Sequence, residues 1–255
     1  MAQGKVALIT GGGTGIGQAA ALALQGDGWN VAITGRRKEE LDKTVAMAKA
    51  GGGTMVAIPA DVGRPDDVKR LFAEVGQAFG GRLDFLFNNA GMGAPPVPME
   101  DLTYEQWTAV VNVNLTGSFL CAREAARGMC EAGIPGSIVN VSSVHEVIPW
   151  PEFGHYCASK GGMKLFAQTI ARELAPHGIR VVNVAPGAIL TPINQDLIDD
   201  PDKLKAVTDE IPLGRAGQPE EVAAAIAWVA GPEAEYVVGS TLFVDGGMTL
   251  YPKFV

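Results

Sequence analysis

Cysteine is scarce in this chain of 255 residues, and no apolar run approaches the length of a membrane span. A transmembrane helix needs roughly 20 consecutive apolar residues. The three cysteines, at positions 121, 130 and 157, are odd in number and lack metal-ligand spacing. They are typical of reduced thiols rather than of a disulfide framework or a metal site. No basic region with an apolar stretch behind it opens the chain, so we expect no signal peptide and a cytoplasmic protein.

Positive charge is also in short supply. The chain has 20 Lys and Arg against 28 Asp and Glu, which gives a net charge of −8. This balance opposes binding to nucleic acids and to anionic membranes. Because 47% of the residues are apolar and 19% are charged, the chain can bury a sizeable core. We therefore expect a small molecule as the partner, and neither a nucleic acid nor a membrane.

Apolar β-branched runs alternate with helical stretches throughout, without a linker. This alternation predicts one Rossmann-type α/β domain over residues 1–255, with a doubly wound, mainly parallel sheet of about seven strands. A polar, acidic segment bounded by prolines, at about 193–213, predicts a helical lid over a site. The apolar segment 251–255 suggests a contact between subunits. The predicted strands are Lys5–Thr10, Asn30–Thr34, Thr54–Pro59, Leu83–Phe87, Ser137–Val141, Arg180–Ala185 and Thr241–Val244.

A glycine-rich turn separates the first predicted strand from the first predicted helix. It reads Gly11-Gly-Gly-Thr-Gly-Ile-Gly17. Glycine lets the backbone approach a pyrophosphate, and the helix that follows offers unpaired N–H groups and the positive end of its dipole. A plain turn is the alternative, but the position between strand and helix favours a nucleotide site.

The second predicted strand ends without an acidic residue. An acid at this point accepts a hydrogen bond from the ribose 2′-hydroxyl of NAD, whereas an arginine suits the 2′-phosphate of NADP. Here the chain reads Gly35-Arg36-Arg37. The two arginines favour NADP, with NAD still possible; the alternative is that they are solvated charges at the start of a helix.

Two further strands end in polar residues. Asp61 follows the third strand, and Asn88 follows the fourth. Ligands in open α/β sheets bind outside the carboxyl ends of the strands, so both residues are candidates for cofactor contacts. Each has an alternative interpretation as a turn or helix cap.

Tyr156 and Lys160 lie four residues apart on a predicted helix, with Ser143 on the preceding segment. Residues at this spacing share one helix face. A free phenol titrates near pH ~10 and is a poor base at neutrality. An ammonium about 4 Å away contributes roughly 4 kcal/mol at an effective dielectric of ~20, before the cost of desolvation. The pair therefore predicts a tyrosine that acts as an acid or base near neutral pH.

Together these motifs resemble the short-chain dehydrogenase/reductase family over essentially the full length. The resemblance implies that Tyr156 is the acid/base, that Ser143 binds the reacting oxygen, and that Lys160 lowers the pKa of Tyr156 and holds the nicotinamide ribose. It also implies that Asn114 holds a water that links Lys160 to solvent. The matching residues are Thr10-Gly-x-x-x-Gly15-x-Gly17, Asp61, Asn88-Asn-Ala-Gly91, Asn114, Ser143, Tyr156-x-x-x-Lys160 and Pro186-Gly187.

The same resemblance implies a nicotinamide dinucleotide and a homotetramer. The residues that it places against the cofactor are Gly11, Thr14, Gly15, Ile16, Gly17, Arg36, Arg37, Asp61, Val62, Asn88, Ala90, Gly91, Tyr156, Lys160, Pro186, Gly187, Ile189 and Thr191.

Within the family, the segment from Ser142 to Lys164 is similar to that of bacterial glucose 1-dehydrogenases. This similarity implies oxidation of the anomeric hydroxyl of glucose or a related sugar to the lactone, with Ser143 and His145 at the substrate. The loop from Met92 to Pro98 departs from those enzymes, which carry an acid near the position of Gly93. Two alternatives remain open: an NADPH-dependent carbonyl reductase, such as a 3-oxoacyl thioester reductase, and a dinucleotide-binding sensor without catalysis.

Overall fold

A seven-stranded parallel sheet organises the chain in the computed structural model, which describes residues 4–250. Each strand lies within two residues of its predicted bounds, and the predicted fold class is confirmed. The segment 251–255, for which we predicted a subunit contact, lies outside the described residues. The strands are β1 (Val6–Thr10), β2 (Asn30–Gly35), β3 (Met55–Pro59), β4 (Phe85–Asn88), β5 (Gly136–Val141), β6 (Ile179–Pro186) and β7 (Thr241–Val244).

Helices cover both faces of this sheet. They are α1 (Gly15–Gly26), α2 (Lys38–Ala46), α3 (Pro65–Phe79), α4 (Tyr104–Val111), α5 (Gly117–Ala132), α6 (Gly154–Leu174), α7 (Gln195–Ile198), α8 (Pro201–Asp209) and α9 (Pro219–Ala230). None of the helices within residues 4–250 is long and apolar enough to cross a membrane.

The strand order is β3-β2-β1-β4-β5-β6-β7. The chain runs outward from β1 to β3, then crosses back to β4 and runs outward to β7. The order therefore reverses between β1 and β4, where the register pairs Ile9 with Phe87. In open α/β sheets this reversal opens a crevice at the carboxyl ends of the strands, and ligands bind there.

The core has one apolar layer on each face of the sheet. On one face, Ile9, Ile33 and Phe87 pack with residues of α1 and α9. On the other face, Leu8 and Leu86 pack with residues of α3, α5 and α6. Successive residues of a strand point to opposite faces, so a central strand covered on both sides is apolar throughout. The layers hold the carboxyl ends of β1, β4 and β5 in fixed positions relative to one another.

The helical segment around Asn114 is interrupted by a wider turn. Between α4 and α5, Asn112–Thr116 forms a π-helical turn. The Asn114 side chain is fully buried. Its Oδ1 accepts from the Met92 N–H at 2.8 Å, and its Nδ2 donates to the Met92 carbonyl at 3.1 Å and to Ser159 Oγ at 3.2 Å. Asparagine is unfavourable in a helix interior, and these hydrogen bonds compensate for its cost.

Three buried asparagines form a chain of side-chain hydrogen bonds across β4, β5 and β6. Asn88 Nδ2 donates to Asn140 Oδ1 at 3.0 Å, and Asn140 Nδ2 donates to Asn183 Oδ1 at 3.1 Å. Asn88 also donates to the Ser118 carbonyl at 3.1 Å, and Ser118 Oγ donates to the Asn114 carbonyl at 2.8 Å. The sheet is thereby connected to the π-helical turn through polar contacts.

Asn140→Ala should lower the free energy of unfolding by about 2–4 kcal/mol, because it removes the hydrogen bond to Asn183 Oδ1 and one of the two hydrogen bonds that Asn88 Nδ2 donates. Urea denaturation followed by circular dichroism measures this change. Asn112→Ala is the matched control, since it removes one exposed hydrogen bond, to the Gly63 carbonyl. We expect it to cost less than about 1 kcal/mol. If the two variants lost the same free energy of unfolding, the asparagine chain would stabilise the fold no more than one exposed hydrogen bond does.

Candidate active site

A cleft of about 330 Å³ opens at the carboxyl edge of the sheet, where the strand order reverses. Most of the predicted site residues line it. These are Gly11, Thr14, Gly15, Ile16, Arg36, Arg37, Asp61, Val62, Ala90, Gly91, Ser143, Tyr156, Lys160, Pro186, Ile189 and Thr191. Five predicted residues do not line the cleft, namely Gly17, Asn88, Asn114, His145 and Gly187.

The glycine turn provides a concave backbone surface at the start of α1. Gly11 and Gly15 have φ angles of +67° and +57°, a region that favours glycine. A Cβ on Gly17 would overlap the Gly11 carbonyl oxygen, so Gly17 allows the turn to close without itself facing the cleft. The first turn of α1 holds no acidic residue, and Thr14 makes no side-chain cap. The helix N-terminus is thus free to bind an anion such as a pyrophosphate.

Asn88 lies inside the sheet, in the asparagine chain already described, and its side chain does not reach the cleft. Asn89, which we did not select, lines the cleft instead. Its Nδ2 donates to the Thr10 carbonyl at 3.0 Å and to the Gly11 carbonyl at 3.2 Å. These two hydrogen bonds therefore stabilise the glycine turn. The sequence did not distinguish the two asparagines, because the strand ends at Asn88, one residue later than predicted.

Asp61 lines the cleft and also caps a turn. Its Oδ1 accepts from the Gly63 N–H at 2.9 Å, and its own N–H donates to Asp67 Oδ2 at 2.9 Å. The two interpretations of this residue are compatible, since the carboxylate has a second oxygen that remains available to a ligand.

Lys160 is buried, and its ammonium donates to the Val141 carbonyl at 2.8 Å. Its Nζ lies 5.6 Å from the centre of the Tyr156 ring. A Cβ on Gly91 would lie 3.3 Å from Asn114 Oδ1 and 3.9 Å from Lys160 Nζ. Lys160 and Asn114 therefore both lie next to Gly91. Lys160 lines the cleft, whereas Asn114 does not.

Burial dominates the electrostatics of this pair. It raises the pKa of Tyr156, although the Ser143 hydroxyl beside the phenol opposes the shift. Burial lowers the pKa of Lys160 to about 8, against the attraction of the Glu146 carboxylate. We expected the ammonium to lower the pKa of Tyr156. The net shift of the Tyr156 pKa is upward, because burial outweighs the hydrogen bond from Ser143, and the lowering by Lys160 stays a prediction.

His145 lies beside Ser143, outside the cleft lining. Its backbone N–H donates to Ser143 Oγ at 3.2 Å, and its Nδ1 lies 3.1 Å from the Ile148 carbonyl oxygen. Because a carbonyl only accepts, Nδ1 must carry the proton. Burial lowers the pKa of His145, so the ring is neutral and its Nε2 is an acceptor. The ring stacks on Trp150 with a centroid distance of 4.4 Å.

The loop from Met92 to Pro98 is held at both ends. Asn114 binds both backbone groups of Met92, and the Val97 N–H donates to the Glu152 carbonyl at 2.9 Å. Glu152 has a φ of +69°, the one positive φ of a non-glycine residue within 4–250. Such a conformation costs on the order of 1 kcal/mol. The strained residue thus connects the loop to the segment that carries Ser143 and Tyr156.

Apolar side chains that sequence reasoning did not identify line the same end of the cleft. Met92 lies there with Ile193, which is 58% exposed, and a Cβ on Gly93 would lie 3.9 Å from Ile193 Cγ1. The predicted lid segment contains α7 and α8, and Ile193 stands at its start. Its closure over the site stays a prediction. No periodic pattern marks single apolar residues in loops, so these two residues gave no sequence signal.

Comparisons with known proteins agree with this geometry. A family model described as enoyl-(acyl carrier protein) reductase matches residues 11–249. The chain is 45% identical over 253 residues to 3beta-hydroxysteroid dehydrogenase 1 of Eggerthella lenta, covering 99% of this chain and 96% of the relative. It is 46% identical over 255 residues to glucose 1-dehydrogenase of Gluconobacter oxydans, covering 98% and 94%.

A solved structure has the same fold. The crystal structure of a short-chain type dehydrogenase/reductase from Mycobacterium marinum superposes with a TM-score of 0.92 at 36% sequence identity. The match covers 98% of this chain and 97% of that one, so the similarity extends over the fold and the cleft together.

Proposed function

The chain belongs to the short-chain dehydrogenase/reductase family, and from that membership we propose that it oxidises the anomeric hydroxyl of glucose or a related sugar to the lactone, with NADP or NAD as the hydride acceptor. The observation that carries the proposal is the convergence of Ser143, Tyr156 and Lys160 in a cleft that begins at a glycine turn. A pure binding protein needs no buried ammonium beside a tyrosine.

The residues present suit a nicotinamide dinucleotide. The glycine turn and the N-terminus of α1 would hold the pyrophosphate, and Lys160 would hold the ribose next to the reacting end. When bound, the nicotinamide supplies the hydride chemistry. The protein's own contribution is then to orient the substrate and to move one proton.

Tyr156 is the proton acceptor in oxidation and the proton donor in reduction. Ser143 lines the cleft and is 6% exposed. Its Oγ orients the reacting oxygen. A charged Lys160 stabilises the phenolate as it forms. Asn114 is a positioning residue, because its two hydrogen bonds hold Met92 at the start of the loop from Met92 to Pro98, which we call the substrate loop.

Arg36 and Arg37 support NADP as the preferred cofactor. Both line the cleft, and no carboxylate within residues 4–250 forms an ion pair with either guanidinium. Both are therefore available to a 2′-phosphate, which arginine binds through paired N–H donors.

The substrate proposal has two candidates. The similarity to the Gluconobacter oxydans glucose 1-dehydrogenase supports a sugar. The second candidate is a hydroxyl on an apolar ring. It is favoured by the apolar side chains of Met92 and Ile193 in the cleft lining and by the similarity to the Eggerthella lenta 3beta-hydroxysteroid dehydrogenase. Both candidates use the same proton transfer at Tyr156.

We also propose a homotetramer. Phe119 on α5 and Leu165 on α6 are 39% and 66% exposed, and Phe119 contacts Phe166 with a centroid distance of 6.1 Å. Such apolar residues on adjacent helices favour burial between subunits. Static light scattering should give four times the chain mass of 26.6 kDa. A particle of one chain mass at micromolar concentration would contradict the tetramer.

Tyr156→Phe should lower kcat roughly 10²–10⁴-fold, because it removes the proton acceptor and leaves the ring in place. Dinucleotide affinity, measured by fluorescence titration, should change by less than about threefold, since the pyrophosphate contacts remain. Tyr104→Phe is the control, because Tyr104 is 76% exposed on α4 and outside the cleft. If Tyr156→Phe kept more than a tenth of the turnover, the assigned role would be wrong.

The two directions of the reaction should depend oppositely on pH. The raised pKa of Tyr156 means that the phenolate, which oxidation needs, becomes more abundant as pH increases. Oxidation should therefore accelerate from roughly pH 6 to roughly pH 8 and level off above it, because Lys160, with a pKa of about 8, then loses the charge that stabilises the phenolate; reduction, which needs the phenol, should not accelerate over this range. Measuring kcat/KM in both directions across this range tests the assignment. Oxidation that is faster at acidic than at alkaline pH would contradict it.

A further inference from the structure

The cleft lining contains an acidic residue near the two arginines, Arg36 and Arg37. Glu40, in the first turn of α2, lines the cleft together with Arg36 and Arg37. Its side chain is 29% exposed. The sequence has no acid at the end of β2, but Glu40 follows that strand by five residues. The structure places Glu40 in the lining of the same cleft.

The position of Glu40 is set by packing of α2 on the glycine turn. A Cβ on Gly13 would lie 3.1 Å from the Glu40 Cβ, so the helix rests directly on the turn. Thr44 Oγ1 donates to the Gly13 carbonyl at 3.3 Å, and Gln18 Nε2 donates to Thr44 Oγ1 at 2.9 Å. The backbone of Glu40 is therefore held against the surface that receives the cofactor's phosphates.

Glu40 is negatively charged at neutral pH. A hydrogen bond from the Lys43 ammonium, at 2.8 Å, and the charges of Lys43 and Arg37 lower the pKa of this carboxyl. Lys43 is 66% exposed and faces solvent, so it offsets the carboxylate only partly. This end of the cleft therefore presents two positive charges that attract a 2′-phosphate and one negative charge that repels it.

We propose that Glu40 is a cofactor-specificity residue, whose carboxylate opposes the 2′-phosphate attracted by Arg36 and Arg37 and so keeps NAD⁺ usable. The inference rests on the proposed function in one respect, namely that the cleft binds a nicotinamide dinucleotide. A 2′-phosphate carries a charge of about −1.5 to −2, whereas a ribose hydroxyl carries none. Glu40 therefore acts on the difference between the two cofactors rather than on dinucleotide binding as such.

The test compares Glu40→Gln with Glu39→Gln, its neighbour in the same helical turn that does not line the cleft. Isothermal titration of the full-length protein with NADP⁺ and NAD⁺ gives four dissociation constants for the two variants and two for the wild type. Glu40→Gln should bind NADP⁺ roughly tenfold more tightly, as expected for charges of this size several Å apart in water. NAD⁺ affinity should change by less than about threefold, and Glu39→Gln should leave the NADP⁺/NAD⁺ ratio unchanged.

Two further measurements separate repulsion from other causes. The gain for NADP⁺ should shrink at high salt, because the carboxylate is partly exposed. Adenosine 2′,5′-bisphosphate should gain affinity from Glu40→Gln as NADP⁺ does, and 5′-AMP should not. Lys43→Gln should act in the opposite direction and weaken NADP⁺ by about two- to threefold, because it leaves the carboxylate without its partner.

The outcomes distinguish this inference from the proposed function. An unchanged NADP⁺/NAD⁺ ratio in Glu40→Gln, with both cofactors bound, would overturn the specificity role and leave the enzyme assignment intact. Weaker NAD⁺ binding with unchanged NADP⁺ binding would also overturn it, since Glu40 would then accept from the ribose hydroxyl. If the wild type bound neither cofactor, both proposals would be wrong. Thermal melting of each variant shows that it is folded.

Discussion

The buried ammonium of Lys160 is the constraint on which the rest of the site depends. An ammonium without water is costly unless it is hydrogen bonded and near a negative charge. Here the Val141 carbonyl at the end of β5 accepts one hydrogen bond, and the Glu146 carboxylate provides the opposite charge. Glu146 is itself fully buried as a side chain, and its Oε1 lies 3.5 Å from the Lys164 ammonium. These contacts connect the end of β5, the turn after Ser143 and α6 to one another.

The π-helical turn connects this charged site to the loop from Met92 to Pro98, which we propose borders the substrate. Asn114 lies in that turn, contacts Ser159 on α6, and binds both backbone groups of Met92. The substrate loop is fixed at its other end by Glu152, next to the aromatic residues that lead to Tyr156. Because one side chain contacts both α6, which carries Tyr156 and Lys160, and the loop that begins at Met92, the same element positions both parts of the proposed active site.

The sequence predicted the elements whose signals are local. The strands follow from apolar β-branched runs, and the glycine turn and the Tyr156–Lys160 spacing follow from short motifs. Side-chain direction at the strand ends was not predictable in the same way, so Asn88 was selected where Asn89 lines the cleft. Glu40 and Met92 reach the cleft through packing between elements distant in the chain. The direction of the Tyr156 pKa shift required the degree of burial, which spacing alone does not give.

We propose that Tyr156, beside the buried Lys160, transfers a proton to or from a hydroxyl on a ring while a nicotinamide exchanges hydride. This proposal is tested by the initial rate of NADP⁺ and NAD⁺ reduction by the purified protein with β-D-glucose, other sugars and a 3β-hydroxysteroid. At least one of these alcohols should form reduced cofactor. Tight binding of the dinucleotide without turnover of any alcohol or carbonyl compound would contradict it, and would identify the protein as a dinucleotide-binding sensor.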